Sequence, residues 1–154
     1  MRYSSTCRFF ACYHPLFPLL DRQLGIDQYF TVSPLLGWTI MLIASRRSRY
    51  EPTLFSELTT PYTKLLWTTI STMPQVYHIV KALCLLCTWP LPAGNSTVDP
   101  NFILNGIMMQ IALHSGLHRP AYARDFGKTI TSISDVEVRD RTWTWCACNI
   151  VVQR

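Results

Sequence analysis

The 154-residue sequence is 49% hydrophobic and only 15% charged, with 14 basic and 9 acidic side chains and a net charge of +5. Soluble domains average about 25% charged residues, so either much of this chain is core or some of its surface packs against sequence outside it. No apolar run reaches the roughly 18 uncharged residues that span a bilayer, which argues against a transmembrane helix.

Cys7 to Tyr13 is aromatic and apolar and predicts a short helix that stops before Pro15, because the residue ahead of a proline disfavours the helical region. Pro15 and Pro18 then read as an extended segment, and Asp21 to Thr31 as irregular, with Gly25 as a turn. Ser33-Pro34 is a helix-start signal, a hydroxyl cap followed by proline in the first turn. It opens an apolar helix over Leu35–Ser45. The run Val32 to Ser45 is the longest apolar stretch and meets Arg46-Arg47. It reads as a buried helix, with membrane association as the competing reading. Arg46, Arg47 and Arg49 are the densest basic cluster. A nucleic-acid surface would show a longer stripe with aromatic platforms, so these arginines read as a solvated helix end that complements the dipole.

Tyr50-Glu51-Pro52 starts a further helix, in which Pro61 predicts a kink or a division into two short helices. Two strongly apolar helices follow. The first opens at Pro74 and runs to about Trp89; the second opens at Asp99-Pro100 and ends near Gly116. The join Pro90-Leu91-Pro92-Ala93-Gly94-Asn95-Ser96 has turn composition, so the pair predicts a central helical hairpin in an all-α core. Glycine at 116 can take the left-handed conformation that closes a helix, and Pro120 cannot resume it. Gly106, in mid-helix, costs about 1 kcal/mol against alanine, which predicts close approach of another helix there. Tyr122 to Ile133 reads as a loop. Ser134-Asp135-Val136-Glu137 matches the capping box and opens a last helix with Val138, Trp143, Trp145 and Ile150–Val152. That helix meets no stop signal, so the chain reads as a fragment, incomplete at its C-terminal end.

The search for chemistry returns little. There is no phosphate-binding glycine loop, no nucleophile elbow and no H-E-x-x-H. His114 and His118 stand four apart, a ligand spacing on one helix face, but Gly116 ends the helix between them and no third ligand lies nearby in sequence. Cys84 and Cys87 form C-x-x-C inside an apolar helix, where cysteine behaves as a small hydrophobe. Cys146 and Cys148 point to different sides of theirs. The opening residues Met1-Arg2-Tyr3-Ser4-Ser5-Thr6 lack the apolar segment of a signal peptide, so reduced thiols are the default. The five tryptophans, Trp38, Trp67, Trp89, Trp143 and Trp145, read as core. No catalytic, cofactor-binding or metal-ligating residue is assigned.

Three segments carry a family resemblance. They are Val80-Lys81-Ala82-Leu83-Cys84-Leu85-Leu86-Cys87-Thr88-Trp89-Pro90, the stretch Gly106 to Pro120 that ends in Gly116-Leu117-His118-Arg119-Pro120, and Glu137-Val138-Arg139-Asp140-Arg141-Thr142-Trp143. They resemble the Q-A-L-L-L-L run, the G-x-A-x-R-x-A-x-x-L-G-L-H-R signature and the E-x-R-R-R-x-W-W segment of the fungal-specific transcription factor domain. This domain is the middle homology region of zinc binuclear cluster regulators. Phe9–Leu20 and Ser33–Ala44 are similar to the family's F-x-x-x-H-P-x-x-P-I and S-P-x-L-x-x-A-I helices. The chain departs from the pattern at Ser115, Asp140 and Thr144, and lacks the six-cysteine zinc cluster.

The resemblance implies that residues 1–154 are part of one all-α regulatory domain of a nuclear transcription factor, without catalysis. It implies a small-molecule effector or a transcriptional co-regulator as partner, with homodimerisation. DNA would be reached only through the missing zinc cluster of the parent protein, which would hold the zinc, and this chain would need no cofactor. The competing reading is a membrane-associated helical fragment.

Overall fold

The computed structural model describes residues 2–47, 52–72, 76–92, 100–126 and 133–153. Among these residues there are seven α-helices, two 3-10 helices and no strand, so the fold is all-α as predicted. The chain divides into two compact units, Met1–Pro74 and Gln75–Arg154.

The first unit holds α1 (Arg2–Cys12), α2 (Ile26–Val32), α3 (Pro34–Ser45) and α4 (Leu54–Ser71). α3 is its centre, with α1, α2 and α4 packed around it. Its start is the predicted one: Ser33 Oγ accepts a hydrogen bond from Leu36 N at 3.3 Å, and Pro34 fills the first turn. Because neighbours lie on several sides, α3 is apolar all round rather than striped, and Leu35, Leu36, Ile40 and Ile43 are fully buried. Two side chains fix these contacts. A Cβ at Gly37 would lie 2.6 Å from the Phe30 ring, so only glycine lets α2 lie this close. Thr39 Oγ1 donates to Leu35 O at 2.7 Å and shares a hydrogen bond with the Tyr62 hydroxyl at 2.9 Å, which satisfies two buried polar groups between α3 and α4.

Three local expectations change here. The stretch read as irregular contains α2, capped by Gly25, whose N–H donates to Gln28 Oε1 at 2.8 Å. Gly25 has φ −72° and serves as an extended cap rather than a left-handed turn. Pro15 lies not in an extended segment but in a 3-10 helix, His14–Leu16, whose φ proline already matches. α4 is one helix of 18 residues with Pro61 inside it, which removes the alternative of two short helices and leaves that of a kink. Tyr50 and Glu51 lie outside the described residues.

The second unit holds α5 (His78–Thr88), α6 (Pro100–His114) and α7 (Asp135–Val152), with a 3-10 helix at Pro120–Phe126 where a loop was predicted. α5 and α6 pack on each other as the predicted hairpin, and α7 packs on both. Pro74, Asp99 and most of the turn between the hairpin helices lie outside the described residues. α5 is the most enclosed, buried from Ile79 to Leu86 without a break. α6 buries Leu104, Met108, Ile111 and Ala112. No described helix is long and apolar enough to cross a membrane.

The tryptophans do not form the core. Trp38, Trp89 and Trp145 are half-buried, and Trp67 and Trp143 are exposed. In α7 the inward stripe is Arg141, Thr144, Ala147, Cys148 and Val151. Small and hydrogen-bonding side chains fit against the closely packed α5, and the larger Trp143 and Ile150 fall on the outer face. Gly106 also differs from expectation: no atom lies within 4 Å of where its Cβ would stand.

Candidate functional site

The residues that carry the resemblance converge where the ends of α5, α6 and α7 meet. The close of α6 is a Schellman motif. Gly116 is the one described residue with positive φ, at 71°; its N–H donates to Leu113 O at 3.0 Å, and Leu117 N–H donates to Ala112 O at 3.0 Å. Leu117 is fully buried and anchors the reversal. The Phe126 ring lies over Gly116, 2.5 Å from where a Cβ would be. Phe126 also meets the His118 ring edge-on, centroids 5.0 Å apart, and the Trp145 ring lies 6.2 Å from His118. Gly-Leu-His is thus a packing unit, with glycine required both by its backbone and by its neighbour.

Arg141 joins this helix end to the other two helices. Its Nη1 donates to Ser115 O at 3.2 Å, one of the terminal carbonyls of α6. Its Nε donates to Glu137 Oε1 at 2.9 Å, one turn back on α7. Its guanidinium lies 4.3 Å from the Tyr77 ring centroid at the start of α5. Glu137 therefore faces Arg141 rather than closing the second half of the predicted capping box, although Ser134 Oγ does accept from Glu137 N at 3.2 Å.

Asp140, a departure from the family's arginine run, completes the network. Its carboxylate accepts from the Tyr77 hydroxyl at 2.7 Å and from Lys81 Nζ at 2.5 Å. Lys81 is 5% exposed and Arg141 likewise, so two cations and two carboxylates form a neutral, partly buried cluster. Burial, then the charge of Asp140, pushes the Tyr77 phenol well above its ordinary value. His78, whose ring centroid lies 4.0 Å from that of Tyr77, is pushed down to about 4 by burial and then by Lys81. One turn further along α5, and two along α7, the core becomes sulfur-rich. Cys84 Sγ lies 3.4 Å from Met108 Sδ, and its hydrogen bond with Cys148, then burial, raises its thiol well above the ordinary value. A protonated, buried thiol is a packing group rather than a nucleophile.

His114 and His118 are not brought together as ligands: Gly116 turns the chain between them, and His114 stays exposed while His118 packs on Phe126. Cys87 is half-buried, and Cys146 is exposed while Cys148 is buried, on opposite sides of α7 as predicted. Among the described residues no group of three His, Cys, Asp or Glu could hold a metal ion. Arg46 lies over the Phe55 ring at 5.1 Å, so that helix end is packed as well as solvated; Arg49 lies outside the described residues. In the first unit, His14 of the His-Pro segment is buried and donates from Nε2 to Leu20 O at 2.7 Å, across the segment that contains Pro15 and Pro18. A concavity of about 460 Å³ is lined by Arg119, Pro120, Ala121 and Tyr122, directly after the signature. The sequence shows the glycine terminator and the motif residues, but not the Lys81–Asp140 pair. Its only trace was a single lysine in an apolar helix.

The fungal specific transcription factor domain family matches residues 7–148. The SEF1 protein of Kluyveromyces lactis is 35% identical over 137 residues, which is 88% of this chain and 12% of that protein. The transcriptional regulatory protein SEF1 of Candida albicans is 30% identical over 143 residues, 91% of this chain and 15% of its own length. The regulatory protein LEU3 of Saccharomyces cerevisiae is 24% identical over 157 residues, 92% and 17%. The chain thus spans less than a fifth of each relative. No solved structure matches it. The matched family is one of transcriptional regulators, not enzymes, and of its motif residues Gly116, Glu137 and Arg141 take part in the junction of α5, α6 and α7, beside Tyr77, Ser115 and Asp140, which are not part of the motifs. The chain belongs to the fungal specific transcription factor domain family.

Proposed function

We propose that residues 1–154 form part of the regulatory domain of a nuclear, fungal-type transcription factor and modulate transcription by binding a small-molecule effector or a co-regulator. The observation that carries this reading is the family match over residues 7–148. Gly116 and Arg141, two of the motif residues, support it by their place in a packed helix junction. In this reading the chain uses no catalytic, cofactor-binding or metal-ligating residue of its own. DNA is contacted only through a zinc cluster elsewhere in the parent protein, and the parent self-associates. A regulatory module of this kind works by differential affinity: the effector must bind one helix packing better than another. The junction of α5, α6 and α7 is the element such a shift would act on, since Arg141 touches all three.

The test is a chimaera. The segment of Candida albicans SEF1 that matches this chain is replaced by residues 1–154, and transcription from a SEF1-dependent reporter is measured. Regulated output restored above that of a deletion of the segment supports the reading. Output no different from the deletion, with the chimaera present at normal abundance, contradicts it.

A further inference from the structure

α7 is held in the second unit by a different kind of contact from the one that closes the hairpin. Among the described residues, none of the large, fully buried side chains belongs to α7. Trp143 and Ile150 are 66% and 55% exposed, so they bury little when α7 docks. The stripe of α5 that meets α7 is equally poor in apolar surface. Tyr77, Lys81 and Cys84 follow one another at spacings of 4 and 3, and they meet Asp140 and Cys148. Ile79, Leu83 and Leu86 lie on the opposite side of α5, at about 100° per residue. α6, by contrast, buries Leu104, Met108 and Ile111. Hydrophobic stabilisation follows the apolar area removed from water, so docking α7 supplies less of it than closing the hairpin.

What holds α7 is polar and concentrated. Asp140 accepts from the Tyr77 hydroxyl and from Lys81 Nζ, and Arg141, the next residue, donates to Ser115 O and lies over the Tyr77 ring. Lys81 and Arg141 are each 5% exposed when docked. Lifting α7 returns both cations and the Asp140 carboxylate to water, and that hydration offsets much of the attraction lost.

We infer that α7 is a releasable helix: it lifts from the α5–α6 hairpin as a unit while the hairpin stays folded, with Asp140-Arg141 as the latch. Release uncovers Lys81, the Tyr77 hydroxyl and the Cys84 thiol. The inference rests on the preceding reading only for its use, an effector that binds one position of α7 better than the other. Its test reads exchange rates in solution, so its failure leaves the transcriptional reading standing.

Amide hydrogen exchange of the full 154-residue chain is followed by NMR at several low urea concentrations. α7 is rich in β-branched and aromatic residues of modest helix propensity, so its amides exchange once it is undocked. Those of residues 138–148 exchange as one set, about tenfold or more faster than those of residues 82–86 of α5, and with a shallower urea dependence because less surface opens. Asp140→Asn speeds the α7 set about tenfold. Leu104→Ala, a change within the hairpin, speeds the α5 amides and leaves the α7 set unchanged, because the hairpin is folded on both sides of the release. One rate and one urea slope for both helices, α7 rates that fall off steadily from its C-terminal end as in simple fraying, an unchanged α7 set in Asp140→Asn, or an α7 set that Leu104→Ala speeds as much as α5 would each overturn the inference.

Discussion

Arg141 holds three helices with one side chain, donating to Ser115 O and Glu137 and stacking on Tyr77. Arg141→Leu leaves the Ser115 carbonyl and the Glu137 carboxylate without this partner at a site where Arg141 itself is 5% exposed. Glu137 is a third exposed in this pair, so the loss is that of partly buried, charge-assisted hydrogen bonds, about 1.5–3 kcal/mol, read as a lower urea midpoint. The two glycines of the α6 region give opposite outcomes. Gly116→Ala forces an L-residue to φ 71° and moves the Phe126 ring, a loss of at least about 1–2 kcal/mol. Gly106→Ala meets open space and, in dilute solution, gains about 1 kcal/mol of helix stability. Unfolding of the two variants side by side checks both signs. At this scale the sequence was informative where chemistry is local. Gly116 was legible because a helix terminator needs a positive φ. Phe126 over Gly116, Lys81 against Asp140 and Cys84 beside Cys148 were not, because each pairs positions at least ten residues apart whose meeting is set by tertiary packing.

The elements follow from caps and periodicity where both are strong. Ser33-Pro34 and Ser134 start their helices as written, and α6 closes at its glycine. α2 was missed because seven residues give too little periodicity, and its glycine cap resembles a turn. The facing of α7 was misjudged because size was taken for burial: Thr144 and Cys148 are fully buried while Trp143 is 66% exposed. The start of α5 carries a pH signature. His78 packs on Tyr77, and the charged groups acting on it are Lys81, Arg141 and Asp140. Its value falls from 6.5 to about 4 on folding, so between these limits the unfolded chain binds more protons. Stability is therefore full above about pH 6.5 and is lost as the pH falls toward 4, with a slope of at most about 1.4 kcal/mol per pH unit for one proton. His78→Gln flattens the urea midpoint against pH in that window. An unchanged slope would place the titration elsewhere.

At the scale of the molecule, each of the two units is built on an enclosed helix, α3 in the first and α5 in the second. The all-α class was legible because both enclosed helices are apolar runs too short to cross a membrane and longer than ordinary strands, each opened by a helix-start signal. The division into two units was not, since no linker composition marks residue 74. Family membership was legible from the order of the motifs, but the junction was not: it joins signature residues such as Gly116 and Arg141 to Tyr77, Ser115 and Asp140, which no motif marks. The central claim is that this junction-built chain regulates transcription without catalysis or DNA contact of its own. The most direct test fuses residues 1–154 to a heterologous DNA-binding domain and measures a reporter, with Arg141→Leu as the variant that loosens the junction. The account predicts that the wild-type chain shifts reporter output from that of the DNA-binding domain alone, and that Arg141→Leu, at matched abundance, loses the shift. Equal output with and without the chain, or a shift that persists when Arg141 is replaced, would contradict it.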